Sequence, residues 1–304
     1  MKIGLVDVDS HNFPNLALMK ISAYHKQLGN DVSMYIHLFD YDKIYVSKVF
    51  TFSKDIKNVY CKEIIKGGTG YDIEKKLPDE IDNIYPDYSL YGITDTAYGY
   101  LTRGCFRNCD FCVVSKKEGI KVYQAYKLNQ FWNGQKNIKI FDSNISGAFN
   151  FIDLMCELAE TKALIDFTQG LDLRLLTDDK INAIKKIKIK RIHFAWDRFE
   201  DEKIICEKLK SFMEITGYSR SKIFVYILTN FNTTFEQDLY RVYKLRDMNV
   251  TPYVMVYERN KAERKYKDLQ EYVNRCWYFR AAKDFDDFME WKNDNNYKKR
   301  GKLF

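Results

Sequence analysis

Short apolar runs alternate with amphipathic stretches along this chain, and each predicts an element. In the first hundred residues "KIGLVDV" is a nearly continuous apolar run, the pattern of a buried strand. "NLALMKISAYHKQLG" spaces its apolar residues for one helical face and ends on Gly29, a residue suited to a helix C-terminus. "DVSMYI", "DKIYVSKVF" and "EIIKGGTGY" predict three more strands, the last running into a glycine turn. Strands alternating with helices imply a parallel sheet. The polar stretch "LPDEIDNIYPDYSLYG" follows; it holds Pro78 and Pro86, half of the chain's four prolines, and marks the best boundary.

Beyond that boundary the alternation becomes regular. Strands are predicted near 98–103, 137–142, 164–169, 191–196, 222–229 and 252–257. Helices are predicted at about 126–134, 149–162, 177–187, 200–216 and 234–248. A closed parallel barrel has eight strands, so six predict a partial one. The expected fold class is therefore α/β: a partial, six-stranded β/α barrel preceded by a small parallel α/β unit. The expected domains are a capping unit over 1–95, the barrel over 96–262, and a helical extension over 263–304 whose polar end, "KNDNNYKKRGKLF", should fray.

The 304 residues are ample for a sizeable core, and with 46% hydrophobic and 30% charged residues the chain reads as a soluble globular protein. No apolar run reaches the roughly 18 residues that a membrane span needs. The N-terminus lacks the pattern of a signal peptide, so a cytoplasmic protein without membrane association is expected. A net charge of +7 permits nucleic-acid binding without favouring it. The densest basic cluster, Lys185 to Arg191, reads more simply as a solvated helix face. Seven cysteines, an odd number, argue against a disulfide framework. Cys61, Cys156, Cys206 and Cys276 stand alone, and Cys156 and Cys206 read as small buried hydrophobes.

The other three cysteines lie within eight residues of "TRGCFRNCDFC", spaced Cys105-x3-Cys109-x2-Cys112. A structural zinc site needs a fourth Cys or His, and the nearest histidines, His37 and His193, are far off in sequence. An iron–sulfur cluster held by three thiolates instead leaves one iron open to a substrate or cofactor. The group also follows the first barrel strand, at the rim where such barrels do their chemistry. This spacing, with Phe111 before the last cysteine, resembles the signature of radical S-adenosylmethionine (SAM) enzymes. The resemblance implies a 4Fe–4S cluster on Cys105, Cys109 and Cys112, with the amino and carboxylate groups of SAM on the open iron. It also implies an electron donor such as flavodoxin or ferredoxin, reductive cleavage of SAM, and a 5′-deoxyadenosyl radical that takes hydrogen from a substrate.

By the same resemblance Phe111 packs near the adenine, and Asp142-Ser143-Asn144 occupies the place of the family's Gly-Gly-Glu-like element, without its glycines. "YILTNFNTTFEQDL" lines up with the "IVGFPGETEEDF" element of methylthiotransferase-type members, with Asn230, Phe231, Glu236 and Asp238 at matching positions. Asp142, Asn144, Asp197 and Asn230 are the further candidate cofactor contacts. Glu236 also suits an ordinary helix start.

Acidic and amide residues recur after the apolar runs: Asp142 and Asn144, Gln169 and Asp172, Asp197, then Asn230 and Asn232. Each could cap the next helix. Together they would line a mouth that accepts N–H donors, as on a cationic amine or a guanine-like edge. Near the N-terminus Asp9-x-His11 is similar to the Asp-x-His-x2-Gly motif of cobalamin-binding modules, with Pro14 at the glycine position. "IIKGGTG" (64–70) is similar to that module's late glycine turn. The unit reads as a shortened relative that does not bind cobalamin and caps the barrel. Asp7, Asp9, His11 and Asn12 then either face the substrate or form a plain surface loop.

The layout resembles short radical SAM proteins that include clostridial-type queuine lyases. That implies a small-molecule substrate, a modified nucleobase, with queuine cleaved to 7-aminomethyl-7-deazaguanine; Gln169, Asp172, Asp197, Asp9 and His11 are its candidate contacts. Two other readings stay open. One is a methylthiotransferase-like enzyme that modifies tRNA or a peptide, although a second cysteine group for an auxiliary cluster is missing. The other is a non-catalytic iron–sulfur or zinc regulatory protein, which a test of SAM cleavage separates from both.

Overall fold

The structure is a computed structural model that describes residues 1–11 and 13–294. Asn12 and most of the polar tail expected to fray lie outside the described residues. The chain divides into two compact units, Met1–Ala148 with Thr161–Ile165, and Phe149–Glu160 with Asp166–Phe304.

In the first unit β1 (Lys2–Asp7), β2 (Asp31–Met34), β3 (Lys43–Ser47) and β4 (Ile64–Gly67) form a parallel sheet in the order β2-β1-β3-β4. The alternation of β1 decides its two faces. Ile3 and Leu5 pack with Leu18 and Ile21 of α1 (Leu16–Gln27) and Ile81 of α2 (Asp79–Asp82), while Val6 packs with Ile44 and Val46. Asn15 caps α1, its side chain accepting from the Leu18 amide at 3.2 Å.

The unit also holds β5 (Thr96–Gly99) parallel to β8 (Asn137–Ile140), and a short antiparallel ribbon of β6 (Thr102–Arg103) and β7 (Tyr123–Gln124) with α3 (Val114–Glu118) between them. The predicted strand over 98–103 therefore splits. Its first half stays in the sheet, and its second half pairs with β7. The helix predicted over 126–134 is only a turn at Leu128–Gln130. Phe131 leaves helical geometry with φ −141°. Its ring fills the space beside Gly99, where any Cβ would lie 2.2 Å from it. Burying that ring outweighs the helical periodicity.

The other elements are α4 (Phe151–Glu160), β9 (Leu164–Phe167), α5 (Asp178–Lys185), β10 (Ile189–Ala195), α6 (Glu202–Thr216), β11 (Ile223–Thr229), α7 (Phe235–Asp247) and β12 (Thr251–Val256). All six predicted strands are present: β5 pairs with β8 in the first unit, and β10, β11 and β12 pair in parallel in the second. In the second unit one face of the sheet is apolar: Ile192, Phe194, Ile223, Val225 and Ile227 are buried, and Phe194 meets Phe212 of α6 at 4.9 Å between ring centroids. The expected helical extension forms α8 (Arg264–Asn274), α9 (Cys276–Ala281) and α10 (Phe285–Asn293) around Tyr272, Phe279, Phe285 and Phe288. Among the described residues no helix is long and apolar enough to cross a membrane.

Candidate functional site

The cysteine loop is held at its entrance by one carboxylate. Asp142, just past β8, accepts from the amides of Leu101 (2.8 Å) and Thr102 (2.5 Å) and from the Thr102 hydroxyl (2.6 Å). Burial pushes its carboxyl up to about 7, against the pull of those donors and of Arg103. A second carboxylate grips the next residues. Glu118, at the end of α3, accepts from Arg103 Nη1 (2.6 Å), the Gly104 amide (3.0 Å) and the Ser143 hydroxyl (3.2 Å). Arg103 lies over the Tyr100 ring, 3.3 Å from its centroid. Gly104 has φ +87°, and a Cβ there would lie 1.9 Å from the Lys121 carbonyl oxygen, so only glycine fits.

Beyond that clamp the Cys105 amide donates to the Gly119 carbonyl (3.1 Å), and the Cys112 amide to that of Cys109 (2.9 Å). All three cysteines are half-buried free thiols. Asn144 reaches them from the end of β8: its Nδ2 donates to Cys105 Sγ at 3.4 Å. Its Oδ1 is buried without a hydrogen-bond partner. A buried amide left half satisfied carries a cost that an incoming donor removes. Phe111 lies half-buried within the loop. Among the described residues no group of three or more His, Cys, Asp or Glu side chains is placed to hold a metal ion. Three soft thiolates with an N–H donor to one sulfur are a donor set that an iron–sulfur cluster accepts.

Two of the other candidates in the first unit are structural. Asp9 is buried and accepts from the amides of Val49 (2.8 Å) and Phe50 (2.9 Å). Burial alone would raise its pKa, but those amides and the Ser53 hydroxyl hold it below the usual range. Asp7 accepts from the Tyr91 hydroxyl at 2.7 Å. His11 is exposed, with φ +46°. In the late glycine turn two glycines are closed against the chain itself: a Cβ on Gly68 would lie 2.4 Å from the Lys48 carbonyl oxygen, and one on Gly70 2.7 Å from that of Phe50, while Gly67 has nothing within 4 Å.

In the second unit the expected acceptors mostly have protein donors already. Asp172 accepts from the Arg174 amide (3.2 Å) and Nε (2.8 Å), and Arg174 also reaches Asp201 (2.6 Å). Asp197 accepts from the Leu228 amide at 3.3 Å, and burial raises its pKa. Gln169 is exposed. Asn230, at φ +61°, donates its amide to Asp238 (3.1 Å) and its side chain to the Tyr257 carbonyl (3.0 Å). Asp238 is buried with Arg241, at 2.5 Å, and Arg241 also donates to the carbonyls of Trp196 (2.6 Å) and Leu228 (2.7 Å). Asn230 thus adopts the left-handed backbone at a position where the compared motif has glycine, whereas at the motif's other glycine, Thr233, the positive φ falls one residue earlier, on Asn232; Glu236 lies exposed in the first turn of α7. Of the expected acceptors, Asp142, Asp172 and Asp197 accept hydrogen bonds from the protein, Asn144 keeps an unpaired Oδ1, and Gln169 is exposed.

Glu118 escaped the sequence reading. It lies in "SKKEG", which carries no motif; its position after the third cysteine was the one available signal.

No family model matches the sequence, and no curated protein matches it. Among solved structures the fold is similar to that of the radical S-adenosylmethionine methyltransferase TsrM from Kitasatospora setae, determined with cobalamin and a [4Fe-4S] cluster bound. The TM-score is 0.60 at 10% identity, over 84% of this chain and 74% of that one.

Proposed function

We propose that this chain is a radical SAM enzyme. The observation that carries the proposal is the Cys105–Cys112 loop, clamped by Asp142 and Glu118, with Asn144 donating to one sulfur and keeping a buried acceptor in reserve. Cys105, Cys109 and Cys112 would hold a 4Fe–4S cluster, and Asn144 Oδ1 would accept from the amino group of SAM. When bound, the pair supplies a 5′-deoxyadenosyl radical upon one-electron reduction by a donor of the flavodoxin or ferredoxin type. The chain's own part is to fix the loop, tune one sulfur through Asn144, and orient the cofactor. The fold shared with a radical SAM methyltransferase supports this reading.

Cobalamin does not fit. Pro14 stands where the module's motif has glycine and is buried. Two of the three glycines of the 64–70 turn, Gly68 and Gly70, press on the chain's own Lys48–Phe50 segment rather than on a space a cofactor could fill.

For the substrate, the likeness to a methyltransferase favours the reading in which the enzyme modifies its target over release of a base from queuine. The queuine reading depended on open carboxylates, and Asp142, Asp172 and Asp197 already accept hydrogen bonds from the protein. Anaerobic reconstitution followed by incubation with reductant and SAM tests the core proposal. Methionine and 5′-deoxyadenosine, or a methylated acceptor with S-adenosylhomocysteine, support it. SAM left intact, with no cluster assembled, would refute it.

A further inference from the structure

The second unit carries a group of polar side chains that the cysteine loop does not involve. One face of its sheet buries Ile192, Phe194, Val225, Ile227 and Val254. The alternation of β-strands sends the residues between them to the other face: Asp166 on β9, His193 on β10, Tyr226 on β11 and Tyr253 on β12. Register places Tyr226 opposite Tyr253. The His193 and Tyr226 rings lie parallel, 5.3 Å apart at 5°, and Tyr253 meets Tyr226 edge-on at 5.6 Å. The Tyr226 hydroxyl is anchored on the Thr168 carbonyl at 3.2 Å. Tyr253 and, one pleat on, Met255 are 40% and 47% exposed.

The hydrogen bonding decides the histidine's tautomer. His193 Nδ1 lies 3.3 Å from the Phe167 carbonyl oxygen, which can only accept, so Nδ1 carries the proton. Nε2 is then an acceptor, and among the described residues it has no hydrogen-bond partner. Asp166 Oδ1 lies 3.7 Å from Nδ1, too far for a hydrogen bond yet close enough to stabilise an imidazolium, and it is buried without a partner. Burial keeps the His193 pKa below its usual value, with Asp166 opposing and Arg191 assisting. The neutral base therefore prevails at pH 7.

We propose that Asp166, His193, Tyr226 and Tyr253 form a binding and proton-transfer site for a planar ring carrying an ionisable N–H or O–H group. The ring stacks on the exposed aromatic surface and donates to His193 Nε2. In the transfer the ligand's N–H or O–H bond breaks, its electron pair stays on the ligand, and an Nε2–H bond forms. Asp166 balances the resulting cation. Proton transfer of this kind needs a base oriented by a third group, and that is the arrangement here.

The proposal stands on the second unit alone. Iron and sulfide content, measured on the same samples, reports the cysteine-loop reading separately. The test is histidine-observed NMR on the full-length chain, 13C- and 15N-labelled at its four histidines, with hypoxanthine as a flat N–H probe and cyclohexanecarboxamide as a non-planar control. The expected result is a saturable hypoxanthine shift of one resonance, assigned to His193 by its loss in His193→Gln. Asp166→Asn should lower the pKa of that resonance, and Tyr253→Ala should weaken probe binding about tenfold at unchanged thermal stability. A His193 resonance indifferent to hypoxanthine, or shifted equally by the control, would overturn the proposal. So would a pKa unchanged by Asp166→Asn, because among the described residues the charges acting on the ring are those of Asp166 and Arg191, with Tyr226 stacked on it.

Discussion

Asp142 and Asn144 stand two residues apart, yet they do different work. Both were legible as polar residues following an apolar strand. That pattern does not say which carboxylate or amide the backbone will use, because the donors lie some forty residues away in sequence. Asp142 accepts from Leu101 and Thr102; Asn144 keeps one oxygen unpaired. Asn144→Ala should therefore leave the cluster in place while weakening SAM binding about tenfold, within the roughly 1–3 kcal/mol of one buried hydrogen bond. Equilibrium binding to the reconstituted protein checks this. Asp142 should show itself through pH. Its folded pKa of about 7 lies above the carboxylate's ordinary value, so the folded state holds the proton more tightly than the unfolded one. Its contribution is full below the unfolded carboxyl's value of 3.8 and is lost progressively as pH rises from there through about 7, by about 2–4 kcal/mol. Urea unfolding of wild type should show that decline, and Asp142→Asn should lack it.

At the scale of elements, periodicity located the six strands and four of the five barrel helices to within a few residues. It failed where a single aromatic ring decided the outcome, at Phe131, and where a short ribbon formed from residues that look like the end of a strand, at Thr102–Arg103. The stretch after β11 was legible as a motif but not as a mechanism. Asn230, Asp238 and Arg241 build a buried junction that joins α7 to the ends of β10 and β11. Arg241→Ala should cost about 3–5 kcal/mol, because it strands a buried carboxylate and two carbonyls. Chemical denaturation should register this as a lower midpoint with little change in slope.

For the whole molecule, the parallel α/β fold was legible because strands buried on one or both faces leave plain apolar runs. The cysteine spacing was legible because Cys105, Cys109 and Cys112 fall within eight residues of sequence. The clamp around it was not, since Glu118 and Asp142 act through contacts that only the fold creates. The N-terminal sheet is parallel, and Gly68 and Gly70 after its last strand are closed by the Lys48–Phe50 segment. Activity should therefore be indifferent to added cobalamin, and the purified protein should show no corrinoid absorbance. A cluster on Cys105, Cys109 and Cys112 with one iron open to SAM would reveal itself in electron paramagnetic resonance of the anaerobically reconstituted, reduced protein, recorded with and without SAM. One 4Fe–4S signal per chain is expected, shifted by SAM and absent from the Cys105→Ala/Cys109→Ala/Cys112→Ala variant. A full cluster in that variant, or a signal that SAM leaves unmoved, would contradict it.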